Sequence, residues 1–304
     1  MDPRGRRLKG SGKVRHGFRS RPRSTAGTAR PRPKVRPAPG QRITVEIISI
    51  GRELLRGRTL DTNAHEVAAY LSQRGAFVRR ITTVDDRDQA IASAITEALD
   101  RGCRLVVTTG GLGPMADDCT LGAVADALKL PLQIHAHAKD MVESAYRRFH
   151  EQGLVSNNGL TAAREKMCTM PIGSEPIPNS AGTAPGVLAR LAGGTAVLCL
   201  PGVPAEMRSV LEAAMQRLKE LAPRGAVARR EVETPTADES SLRPLLDCLR
   251  REFPSVWIKS HAPGFEDKDA RIRVTLEASA PDRNQAESLV EDALRRLITL
   301  AASG

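Results

Sequence analysis

The chain has 304 residues, enough for one sizeable hydrophobic core or two. Hydrophobic residues make up 40% and charged residues 27%, the balance of a soluble globular protein. No apolar run approaches the roughly 20 residues of a membrane-spanning helix, which excludes a chain that crosses a membrane by helices. The formal charge of +11 points to a polyanionic partner only until its distribution is read. Residues 1–42 hold 14 of the 46 Lys/Arg and one of the 35 acids, Asp2, leaving 32 basic against 34 acidic residues in 43–304. The basic excess belongs to the first 42 residues, and the remainder is nearly neutral.

That basic segment is rich in Arg, Pro, Gly and Ser and has almost nothing to bury, so it is expected to be disordered. It lacks the apolar stretch of a secretory signal, and its prolines argue against the amphipathic helix of a transit peptide. A solvated extension and a weak polyanion-binding arm are both compatible with it. Five scattered cysteines, with no C-x-x-C pair, fit a reducing cytoplasm and give no zinc pattern. His135 and His137 read as a strand end or a helix start rather than as metal ligands.

From residue 44 onward the pattern alternates strand and helix. TVEIISI (44–50) is a short, β-branched, nearly all-apolar run, as expected of a strand buried on both faces. A helix follows over 61–75, with Asn63 and Glu66 as its cap and Gly75 as its stop. FVRRITTV (77–84) predicts a second strand. Residues 87–102 predict a second helix, with Ile91, Ile95 and Leu99 on one face. RLVVTTG (104–110) predicts a third strand that enters a glycine-rich turn, and 117–130 a third helix. Residues 137–168 read as helical with a break near Gly153, and 171–186 as a loop. Two strands (186–191 and 195–201) then form a hairpin, and a long helix (203–221) closes the series. The final stretch predicts strand (227–234), helix (238–251, with Thr236 and Glu239 as capping box), strand (255–261), strand (271–278) and helix (283–300). The fold class is therefore α/β, three layers around a mostly parallel sheet over 43–222, with a small C-terminal α+β domain over 227–304.

In a parallel sheet, ligands collect beyond the carboxyl ends of the strands. The first such segment carries Glu53, Asp61 and Asn63; the second carries Asp85 and Asp86. The third is Thr109-Gly110-Gly111-Leu112-Gly113-Pro114-Met115-Ala116-Asp117-Asp118. Its glycines leave backbone N–H groups free to face an anion. It is neither a dinucleotide fingerprint nor a Walker A loop, since the G-x-G-x-x-G spacing and the Lys-Ser/Thr pair are both absent. Two adjacent carboxylates would repel a phosphate unless a divalent cation lay between, and oxygen donors suit magnesium or manganese. The alternative is that Asp117 or Asp118 caps the helix that follows. Asp61 and Asn63 read as caps first, and Glu206 as a residue favoured by a helix dipole. Arg52, Arg56 and Arg58 read either as phosphate-holding arginines or as a solvated edge.

Four motifs in this order, GRELLRGRTLDTNA (51–64), TGGLGPMADDCT (109–120), NSAGTAPGV (179–187) and LPGVPAEM (200–207), resemble the molybdopterin-binding-like domain of the competence/damage-inducible protein A (CinA) family over about residues 43–220. The segment PSVWIKSHAP (254–263) looks like the small α+β domain that follows in that family. The larger amidase domain is not found, so the chain is similar to the stand-alone version. The resemblance implies a molybdenum-cofactor-biosynthesis-type fold, often dimeric. It also implies a pyrophosphatase, dependent on magnesium, manganese or cobalt, that cleaves ADP-ribose to AMP and ribose 5-phosphate. On the resemblance, Thr109, Gly110, Gly111 and Gly113 would cradle phosphate, Asp117 and Asp118 would be metal-linked acids, and Glu53 would join the catalytic set. Asn63, Asp85, Gly182, Thr183, Gly202 and Glu206 would line the same cleft. Three residues depart from the family pattern: Met115 where a hydroxyl residue is usual, Arg52 where Thr, Asn or Asp is usual, and Ser180 in place of Pro. The rival expectation is a non-catalytic molybdopterin- or nucleotide-binding protein.

A chain that starts at Gln41 is expected to melt at the same temperature as the full chain, because 1–42 has no apolar periodicity with which to dock. A fall of several degrees in a thermal melt would show the opposite.

Overall fold

The computed structural model describes residues 43–218, 225–236, 238–262 and 271–302. The basic segment and residues 219–221 of the expected closing helix lie outside them. The first half runs β1 (Thr44–Ile50), α1 (Arg52–Leu55), α2 (Thr62–Ser72), β2 (Phe77–Val84), α3 (Asp88–Asp100), β3 (Leu105–Thr109) and α4 (Thr120–Leu128). Next come β4 (Leu132–Ile134), α5 (Ala136–Glu151), α6 (Ala162–Lys166), β5 (Thr169–Pro171), β6 (Glu175–Ile177), β7 (Gly186–Leu191), β8 (Thr195–Leu200) and α7 (Pro204–Arg217). The remainder is β9 (Ala226–Glu233), α8 (Glu239–Glu252), β10 (Val256–His261), β11 (Arg273–Ala280) and α9 (Arg283–Ala302). No helix among the described residues is long and apolar enough to cross a membrane.

The main sheet has the order β2-β1-β3-β8-β7-β6. β2, β1, β3 and β8 are parallel, while β7 and β6 add an antiparallel edge. The apolar runs seen in the sequence have a physical cause here, because both faces of the central strands are covered. Ile48 and Ile50 of β1, Val106 of β3 and Val197 and Cys199 of β8 pack on one face with α3, α4 and α5. Val45, Ile47, Val107, Leu198 and Leu200 pack on the other with α2 and α7. The result is three layers, α/β/α, as the alternation implied. A separate three-stranded antiparallel sheet, β10-β11-β9, has one apolar face covered by α8 and α9 around Val274, Leu276, Leu246 and Val290.

Several local expectations are corrected. Residues 137–168 are two helices, α5 and α6, separated by an irregular stretch after Gly153. The expected loop at 171–186 contains β6, and β4 pairs with β5. These strands have three residues each, too few for a period of two to show in sequence. α2 is capped by Asp61, whose side chain accepts from the Ala64 amide at 3.0 Å. Asn63 is turned inward instead, and Glu66 holds Arg208 of α7 in a two-bond fork at 2.6 Å each. α8 is capped by Asp238 rather than by a Thr236–Glu239 box, with Ser240 donating to it at 2.9 Å.

At the amino end of the sheet, β1 carries one buried carboxylate. Glu46 accepts from Arg79 and Arg101 at 2.7 Å each and is 2% exposed, against 34% and 30% for its partners. The β1–β2 register shifts here, from Val45 opposite Val78 to Glu46 opposite Arg80, so Arg79 is the extra residue of a bulge. Burial alone would push the Glu46 carboxyl up, but the hydrogen bonds and charges of Arg101 and Arg79 outweigh it and hold it below the usual glutamate value. Glu46→Gln is expected to cost about 2–3 kcal/mol at pH 7, somewhat below the range for fully buried pairs because both arginines reach water. A folded pKa below the unfolded one means this contribution is present above the ordinary glutamate range and fades as pH falls through the folded value. Urea unfolding of the two proteins at pH 7 and at pH 3 checks it, and the gap must narrow at pH 3.

Candidate functional site

β1 and β3 are neighbours in the sheet, and the chain leaves β1 through α2 on one face and β3 through α4 on the other. Their connections therefore diverge, which opens a crevice at their carboxyl ends. The glycine turn after β3 lies there, and so do the segments after β1 and β8.

Gly110 joins the three strand ends. Its N–H donates to the Leu200 carbonyl of β8 at 3.0 Å, its φ is +104°, and a Cβ on it would sit 2.5 Å from the Ile50 carbonyl of β1. Only a residue without Cβ fits that position and that backbone. Gly202, following β8, lies against Gly110. Asn63, 8% exposed, reaches the same point by donating from Nδ2 to the Gly202 carbonyl at 2.7 Å. Its Oδ1 is buried and finds no donor among the described residues. Thr120, the first residue of α4, closes the turn from behind by donating through Oγ1 to the Gly110 carbonyl at 2.8 Å. Thr109, Gly110, Gly111, Gly113, Asn63 and Gly202 are thus gathered around one junction.

The acidic pair does not cap α4. The helix starts at Thr120 with Cys119 at its N-cap position and no side-chain cap. The expected start at 117 is therefore three residues early. Asp118 folds back instead, its Oδ2 accepting from the Met115 amide at 2.9 Å and its carboxylate lying against Gly113. Asp117 is exposed and has no side-chain hydrogen bond among the described residues. Glu53, also exposed, curls its carboxylate over Gly51.

Asp85 is committed elsewhere. One of its oxygens accepts from Arg52 Nε at 2.9 Å and the other from Arg87 Nε at 2.7 Å. The hydrogen bonds of Arg52, of the Asp86 side chain and of Arg87 together hold the Asp85 carboxyl far below the usual range. Asp86 is raised, first by the neighbouring Asp85 carboxylate and then by burial. Arg52 is held protonated by Asp85 first, then by Asp86, with a weaker attraction from Asp117. Both Asp85 oxygens are thus taken by arginines.

Gly182 and Glu206 form a second group. The Glu206 carboxylate packs so closely on Gly182 that a Cβ there would lie 2.0 Å from its Cδ. Asn179 organises the pair, donating to Glu206 at 2.7 Å while its Oδ1 accepts from the amides of Ala181 and Gly182. Thr183 follows directly, half-buried. Asn179 was not among the expected site residues, although an Asn two residues before Ala-Gly is the usual start of such a turn. Lys166 was missed as well. It donates from α6 to the Met115 carbonyl and lines a cavity of about 220 Å³ behind the glycine turn with Asp88, Gly111, Gly113, Asp118 and Cys119. Nothing in the sequence near Lys166 ties it to residue 115. Burial pushes the Cys103, Cys119 and Cys168 thiols up to about 11, which disfavours their thiolate forms.

No three His, Cys, Asp or Glu side chains among the described residues converge closely enough to cage a metal. A closed zinc-type site is therefore a poor fit to them. A magnesium-like ion is different, since it keeps waters and takes one or two carboxylates plus ligand phosphates. Asp117 and Asp118 beside a glycine turn are a donor set of that kind.

Residues 46–220 match the family model described as a probable molybdopterin binding domain. A protein of Aeropyrum pernix is 44% identical over 247 residues, 80% of this chain and 88% of that one. A protein of Caldivirga maquilingensis is 38% identical over 258 residues, 84% and 96% of the two chains. Among solved structures, the protein CinA with unknown function from Thermoplasma acidophilum is 36% identical, with a TM-score of 0.52, covering 58% of this chain and 98% of that one.

Gly110→Ala is expected to destabilise the protein by about 3 kcal/mol or more, through strain at positive φ and a clash with backbone. Chemical denaturation measures it, and a loss under about 1 kcal/mol would mean that the three strand ends can separate at little cost.

Proposed function

The chain belongs to the family of probable molybdopterin binding domains, and from that premise we propose that the crevice beyond β1, β3 and β8 receives a phosphate-bearing small molecule, a nucleotide or a pterin. The finer reading is hydrolysis of a nucleoside diphosphate compound, with ADP-ribose giving AMP and ribose 5-phosphate. The observation that carries it is the state of the acidic pair: neither Asp117 nor Asp118 caps α4, so two carboxylates stand at a phosphate-type turn without a structural task at the helix.

In this reading the turn that Gly110 anchors seats one phosphate on the backbone of 111–113, where fixed N–H groups stabilise negative charge without reorganising. Asp118, fixed by the Met115 amide, and Asp117 would hold a magnesium, manganese or cobalt ion. Bound there, the ion would offset diphosphate charge and acidify a water. Glu53 accepts the proton of the attacking water. The water oxygen bonds to one phosphorus as the bridging P–O bond breaks, and the proton count closes on the two monophosphate products. Asn63 and Gly202 hold the floor of the crevice. The likeness to CinA proteins also suggests a dimer, which sedimentation tests.

A second reading, binding without turnover, is favoured by one observation. Met115 is 65% exposed at the tip of the turn and offers an apolar side chain where a hydroxyl would be expected beside phosphate. Molybdopterin would then be the ligand to compare with nucleotides.

Asp117→Asn and Asp118→Asn keep shape, and in the second variant the side-chain carbonyl would still accept from the Met115 amide. Metal-dependent turnover of ADP-ribose is expected to fall about 100-fold or more in each, with the melting temperature unchanged. Calorimetric titration of ADP-ribose and molybdopterin analogues, run beside the activity screen, separates the readings. Wild-type rates in both variants remove the metal role; ligand binding by a wild type that never turns over favours the second reading.

A further inference from the structure

Arg52 is placed for a task that the stability of the fold does not require. It follows β1 by two residues, and the Ile50 carbonyl before it lies against Gly110 of the phosphate-type turn. Its guanidinium is gripped along one edge only. Nε donates to Asp85 at 2.9 Å and Nη2 lies 3.4 Å from Asp86, while the side chain stays 48% exposed. An ion pair so open contributes little to folding. Asp85, moreover, has a second arginine, Arg87, on its other oxygen.

The charges around the crevice make Arg52 more telling. Glu53, Asp85, Asp86, Asp117 and Asp118 all stand at the ends of β1, β2 and β3. An entering phosphate meets this acidic surround and needs a fixed positive partner. Arg87, the other arginine of the group, is 73% exposed and lies on the far side of Asp85. Arg52 is the one attracted to Asp117. An arginine anchored by one edge keeps its remaining N–H groups in a fixed plane, the arrangement that suits phosphate.

We infer that Arg52 is the phosphate-facing cation of this site: held on Asp85 and Asp86 by its inner edge, it offers its outer N–H groups to a phosphate or diphosphate seated on the glycine turn. Asp85 and Asp86 are then positioning residues for Arg52 rather than contacts of the ligand. The inference rests on the reading that a phosphate-bearing molecule binds here and deepens it. Part of the ligand's charge is met by the protein, so binding persists when divalent metal is removed.

Calorimetric titration of inorganic pyrophosphate and of ADP-ribose into the full chain, once with EDTA and once with magnesium, tests it. The proteins compared are wild type, Arg52→Thr, Arg52→Lys and, as a control for bulk charge, Arg56→Thr. The wild type is expected to bind in EDTA. Arg52→Thr should bind at least about ten-fold more weakly there, the loss of one charge-assisted contact, with Arg52→Lys between them. Arg56→Thr should match wild type, and all four should melt together. Equal affinity of wild type and Arg52→Thr in EDTA overturns the inference, as does an equal loss in Arg56→Thr. Wild-type binding seen only with magnesium overturns it too, while leaving the phosphate-ligand reading intact. Absence of binding under both conditions removes that reading and this inference together. If Arg52→Thr melts early, the comparison passes to Arg52→Lys, whose affinity must still fall below wild type.

Discussion

The close approach of β1, β3 and β8 at their carboxyl ends is the constraint on which the rest of the crevice depends. Gly110 touches the Ile50 carbonyl on one side and bonds to the Leu200 carbonyl on the other, with Gly202 packed against it. A side chain at that point would push the strands apart. With none, Gly110 sits directly on the main chain of its neighbours, and the residues after it run out beyond the strand ends. Asn63 and Thr120 then brace it from two helices on opposite faces of the sheet. The precision of the turn is therefore a property of the sheet.

Charge is sorted along the same sheet. At the amino end a single carboxylate, Glu46, is enclosed by two guanidiniums and has nothing further to offer. At the carboxyl end acids outnumber arginines, and one of them, Asp117, has no hydrogen-bonding partner for its side chain among the described residues. On the proposed reading, that negative charge beside a turn that seats an anion is unfavourable unless something positive meets it. A cation carried in with the ligand and an arginine already in place are the two ways to meet it, and they are not exclusive.

Much of this architecture is legible in the sequence, for definite reasons. β1, β3 and β8 are buried on both faces, so they read as short, mostly apolar and β-branched runs, and α3 shows its buried face in Ile91, Ile95 and Leu99. Short elements escape the same logic: β4, β5 and β6 are fixed by pairing with distant segments. Caps were misread where two candidates stood within three residues of each other. Asp61 and Asn63 both suit an N-cap chemically, and only the tertiary pull of Gly202 on Asn63 decides between them. The glycines of the site were legible because close approach leaves a mark in residue type. The orientation of Asp118, the commitment of Asp85 to two arginines and the arrival of Lys166 from α6 leave none, since each depends on a partner far off in the chain.

The bulge at Arg79 has a bearing on how the chain finds this structure. Interior strands of aliphatic residues can slide past one another with little change in what they bury, which makes register the weak point of a parallel sheet. Glu46 removes that freedom. It points to the α3 side of β1, where the extra residue in β2 and the end of α3 deliver their guanidiniums. A slip of one residue would turn the carboxylate toward the face lined by Val67, Leu71 and Val107. The misaligned sheet would carry that charge on an apolar face. The triad thus ties β1 to the bulged β2 and to the end of α3 in one alignment.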